Sequence, residues 1–86
     1  MPKLEPMTPT SIHVIAFGMI AEKIKTKELV LEYMPDTEVL LGYLYQQFPD
    51  LKQTKFSIAL NKKMVVGKTF IPVGAEVALL PPFSGG

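Results

Sequence analysis

The sequence predicts a single small α+β domain, with one main helix packed on one face of a mixed sheet. Three observations predict it. Short runs rich in β-branched residues, with apolar side chains at alternating positions, recur at both ends of the chain. One segment, residues 36–48, carries an apolar stripe at helical spacing. Proline- and glycine-containing breakers separate these runs, and a length of 86 residues suits one domain.

The elements follow in order. Residues 1–11 hold Pro2, Pro6 and Pro9, lack regular backbone donors there, and read as a flexible leader. SIHVIAFG, residues 11–18, is a strand with apolar groups on both faces, hence central. Residues 19–28 form a short helix or helical turn, with Ile20 and Ile24 one turn apart. LVLEY, residues 29–33, is a second strand. Asp36 or Thr37 caps the main helix, Leu40, Leu41, Leu44 and Phe48 form its stripe, and Pro49 ends it. Gly42 costs this helix about 1 kcal/mol relative to alanine, which marks a close approach of backbone. Phe56 to Leu60 is a strand, Asn61-Lys62-Lys63 a turn, and Met64-Val65-Val66 a short return strand. A loop broken by Gly67, Pro72 and Gly74 leads to a last strand, EVALL, stopped by Pro81-Pro82. The first and last strands are the most apolar on both sides, so they belong together, parallel, mid-sheet. This order is that of the β-grasp fold, as in ubiquitin. Residues 12–82 form the β-grasp domain and 83–86 a flexible tail.

Composition narrows the function. An apolar fraction of 48% with 20% charged residues suits a packed core. A net charge of +1 without a basic stripe offers nothing to nucleic acid. The absence of cysteine excludes disulfides, thiolate zinc sites and cysteine nucleophiles, and lends no support to an oxidising compartment. No apolar run approaches the ~20 residues of a membrane helix. The opening MPKLEPMTPTS lacks the apolar core of a signal peptide. A cytoplasmic protein is expected. His13, the only histidine, has no second ligand at metal spacing, so no metal role is expected. No acid–base pair stands out as catalytic.

The sequence closes on LLPPFSGG. Past Pro82 the chain cannot easily rejoin the sheet, so Phe83-Ser84-Gly85-Gly86 is expected to protrude. A bare Gly-Gly threads a channel too narrow for side chains, and its carboxylate is open to activation as an acyl-adenylate.

Three stretches, together spanning about residues 12–86, resemble the small subunits of molybdopterin synthase, which are sulfur carriers. They are IHVIAFGMIAEKI (12–24), VLLGYLYQQFPDL (39–51) and the run from IALNKKMVV to PVGAEVALLPPFSGG (58–86). The closing motif is the specific one; the first two point only to the fold. Thiamine-pathway carriers, and the ubiquitin-related modifiers that serve tRNA thiolation, share the fold and the Gly-Gly. This sequence departs from the small-subunit pattern in its leader and in Lys25-Thr26-Lys27, where a glycine turn is expected.

The resemblance implies a mechanism. An ATP-consuming adenylating enzyme of the ubiquitin-activating type would adenylate Gly86, and a persulfide sulfur donor would convert it to a thiocarboxylate. Phe83, Ser84 and Gly85 would thread into the large synthase subunit within a heterotetramer. There the sulfur would pass to cyclic pyranopterin monophosphate, forming the dithiolene. The chain would bind no cofactor and would not be catalytic alone. Phe17, Met64, Leu80, Pro81 and Pro82 would face the large subunit. An alternative is a protein modifier joined to its targets through Gly86.

Overall fold

The structure, a computed structural model, describes residues 10–82. The expectations for residues 1–9 and for Phe83, Ser84, Gly85 and Gly86 lie outside the described residues. Strand β1 (Ser11–Ala16) leads into helix α1 (Met19–Ile24), then strand β2 (Glu28–Glu32) and the main helix α2 (Thr37–Gln47). A 3₁₀ turn, Pro49–Gln53, precedes strands β3 (Ser57–Leu60), β4 (Lys63–Val65) and β5 (Glu76–Leu80). The five strands form one sheet in the order β2-β1-β5-β3-β4. β1 and β5 run parallel at its centre, as their two-sided apolar character requires; the other pairings are antiparallel. This is the β-grasp arrangement.

Alternation assigns the two faces of the sheet. Ile12, Val14 and Ala16 of β1, Leu29 of β2, Leu60 of β3, and Val77 and Leu79 of β5 share one buried cluster with Ile20 and Ile24 of α1 and Leu40 and Leu44 of α2. Leu51, from the 3₁₀ turn, Ile71 and Ala75 complete it. The opposite face carries His13, Ile15, Ala78, Leu80 and Met64. Ala59, also on that face, is buried yet stands outside the core cluster. The helices therefore cover one face only.

Local chemistry sets the boundaries. Asp36 is the cap of α2: its Oδ1 accepts from the Val39 N–H at 2.9 Å. Thr37 lies within the helix and is buried. Its hydroxyl donates to the Gly67 carbonyl (3.2 Å) and accepts from the Thr69 N–H (3.0 Å), tying the 67–71 loop to the helix start.

Three expectations need correction, and one element was not expected. α1 ends at Ile24, short of residue 28, because Lys25 takes the left-handed conformation (φ 66°) and supplies the turn itself where a glycine was expected. The β3–β4 connection has two residues, not three. Asn61 and Lys62 both have positive φ (49° and 71°), as a type I′ hairpin turn demands, so β4 starts at Lys63. The 3₁₀ turn went unforeseen. Gly42 marks no close approach: it is exposed, and a Cβ built there meets nothing within 4 Å.

Candidate functional site

The uncovered face of the sheet and the end of β5 together form the candidate site. Pairing registers align its residues across the strands. Glu28, Ile15, Ala78, Ala59 and Met64 form one row, from β2 through β1, β5 and β3 to β4. The Phe17 N–H donates to the Leu79 carbonyl at 3.1 Å, which extends the β1–β5 ladder by one residue. Phe17 thus lies beside Leu80, which pairs with Ser57 in the next row. Phe17 is 47% exposed and Met64 56%, while Leu80 is half-buried. The face is apolar at this end of the sheet and polar at the other, where His13 Nε2–H donates to Glu28 Oε2 at 2.7 Å and Glu76 lies opposite His13 on β5.

Phe17, Leu80 and Met64, singled out from the sequence, therefore share one face and leave apolar surface open. The sequence reading missed the His13–Glu28 pair. The alternation of the two strands places them on one face, but their pairing depends on register, which hydrophobicity alone leaves open here.

The exit of β5 is shaped by Gly18. Its φ of 56° with ψ of −134° belongs to a region that only glycine occupies freely. A Cβ built there would come within 3.1 Å of Pro81 Cγ. The β1–α1 turn and the first residue past β5 are thus in close contact. Pro81 is half-buried against this turn and Pro82 is exposed. Two consecutive prolines hold φ near −65° and remove two donors, so the strand ends here.

Among the described residues, no group of three or more His, Asp or Glu could hold a metal ion. No helix there is long and apolar enough to cross a membrane. No buried side-chain polar atom there lacks a hydrogen-bond partner.

Residues 14–86 match the family model described as the ThiS family. The chain belongs to the ThiS family. This family comprises ubiquitin-like sulfur carriers, and its model spans the sheet from Val14 in β1 onward as well as the four residues past Pro82. Solved structures agree on the fold. A Pyrococcus furiosus protein provisionally named molybdopterin converting factor, subunit 1, superposes with a TM-score of 0.78 at 16% identity, covering 86% of this ThiS-family chain and 99% of that one. SAMP1 from Haloferax volcanii matches with a TM-score of 0.71 at 22% identity, covering 88% and 99%. The small archaeal modifier protein 1 of Methanosarcina acetivorans matches with a TM-score of 0.70 at 25% identity, covering 90% and 97%.

Proposed function

We propose that this ThiS-family chain is the sulfur-carrying small subunit of a molybdopterin synthase, acting in the cytoplasm through Gly86. The observation that carries the reading is the family match, which runs through Gly86 and past a strand end bordered by open apolar surface. In this reading a ubiquitin-activating-type enzyme joins the Gly86 carboxylate to AMP, releasing pyrophosphate from ATP. A persulfide then displaces AMP through its outer sulfur. A thiol cleaves the resulting acyl disulfide, leaving the thiocarboxylate. The large subunit receives Phe83 to Gly86 in its channel and docks on Phe17, Leu80 and Met64, with Pro81 and Pro82 directing the tail. The sulfur passes to cyclic pyranopterin monophosphate. The small subunit needs no thiol and no bound cofactor of its own for this. Apolar surface bordered at one end by polar groups suits such a complex.

One observation favours a second reading. The two modifier-named structures share more identity with this chain, 22% and 25%, than does the converting factor at 16%. In that reading a target lysine attacks the activated Gly86 and an isopeptide bond forms.

The test is C-terminal mass analysis after incubation with ATP, the adenylating enzyme and a sulfur donor. Five methionines make the intact mass ambiguous, because oxidation adds nearly the same mass as exchange of oxygen for sulfur. The peptide bearing Gly86 is therefore isolated and fragmented. Sulfur on Gly86 and a stable complex with the large subunit are expected. Adenylation without sulfur, with isopeptide-linked products, establishes the modifier reading instead.

A further inference from the structure

We infer that the free edge of β4, with the groove beneath it, is a docking site for an extended, acidic segment of a partner protein, which adds as a sixth strand. The site adjoins the sheet face assigned above to the large subunit and shares Met64 with it, and the inference does not depend on how Gly86 is loaded.

Backbone geometry selects an extended ligand. In a two-residue hairpin the residues flanking the turn, Leu60 and Lys63, form a hydrogen-bonded pair. The next pair, Ala59 with Met64, is then non-hydrogen-bonded, so the Met64 N–H and C=O point away from β3. Val66, two residues further, shares that outward phase, and its backbone makes no hydrogen bond among the described residues. β4 is an edge of the sheet. Two residues at i, i+2 thus offer a donor and an acceptor each, the pattern that strand addition reads. Val66 is 95% exposed.

The groove supplies places for alternate side chains. It lies between α2 and the β3–β4 hairpin, with a volume of about 640 Å³, and Leu41, Tyr45, Phe56 and Val65 are among the apolar groups lining it. A strand paired with β4 would turn every second side chain toward this groove.

Charge selects the ligand's sign. Lys55 and Lys68 line the groove against a single acidic residue, Glu38. Lys62 and Lys63 stand exposed at the hairpin end. The same lysines disfavour a second copy paired β4 to β4, which would bring lysine against lysine. The opposite edge, β2, carries Glu28 and Glu32 and has the reverse preference. Pairing β2 of one copy with β4 of the next would leave both outer edges free and would grow without closing.

The probe is a blocked hexapeptide of alternating glutamate and valine, titrated into the full-length ¹⁵N-labelled chain. Expected are shifts and slowed exchange at the Met64 and Val66 amides, with further shifts at Leu41 and Tyr45. A lysine–valine peptide should not bind. Val66→Pro removes one outward donor that holds nothing in the fold. It should weaken binding about tenfold, the worth of one net hydrogen bond. Lys55→Glu with Lys68→Glu leaves the backbone intact and should weaken binding by at least as much, with the loss shrinking at high salt. Absence of binding overturns the proposal. So does equal binding of the lysine peptide, contact confined to β2 or the open face, unchanged affinity in both variants, or assembly of the free chain through this edge.

Discussion

At Gly18, backbone and packing make the same demand. The conformation is strained for any side chain, and a Cβ would crowd the neighbouring Pro81 at 3.1 Å. Gly18→Ala is expected to lower unfolding free energy by about 1–3 kcal/mol, read from urea denaturation. Lys62 is the reverse case, a side chain held at φ 71° in a turn that prefers glycine. Lys62→Gly should raise stability by about 1 kcal/mol, because the left-handed penalty disappears; a lower urea midpoint would contradict this. Such positions explain what single residues conceal. Nothing about Lys25 or Lys62 as residue types announces positive φ. The hairpin was legible from its flanking strands, but the turn's length was not.

Among the elements, α2 was the most legible, since its cap, stripe and terminal proline all point one way. Its anchoring was not. Thr37 resembles a second cap candidate in sequence, whereas in the fold its hydroxyl satisfies two backbone groups of the loop beyond β4. Thr37→Val keeps the shape and orphans the Thr69 N–H, while the Gly67 carbonyl keeps the Thr69 hydroxyl as donor, so a loss of about 1–3 kcal/mol is expected. Faster amide exchange at Thr69 would localise the damage to the loop. The 3₁₀ turn escaped notice because five residues with one buried leucine, Leu51, carry no periodic signal. Gly42 shows the opposite error. A glycine in a helix invites a packing explanation, and here it faces solvent.

On the scale of the whole molecule, the two sheet faces should respond differently to mutation. Leu79→Ala empties a fully buried site and should cost about 2–5 kcal/mol, a large part of the roughly 5–15 kcal/mol that holds a domain together. Met64→Ser on the open face should change stability by less than about 1 kcal/mol while weakening large-subunit docking, as measured by calorimetry. Equal losses in both variants would mean that the open face is structural. The fold class and the central parallel pair were readable from two-sided apolar strands. That Phe17, Leu80 and Met64 share a face emerged only once registers were set, because each sits on a different strand or just past its end.

The strand order also governs the birth of the domain. β2 and β1 make one pair, β3 and β4 another, and β5 alone joins them in the sheet. A ribosome that has translated through β4 holds two separate hairpins, each marginal by itself. The sheet closes only when the last strand slides in between them, a long-range step of the kind that slows folding. A chain cut short before β5 would therefore hold two unjoined strand pairs and an open core.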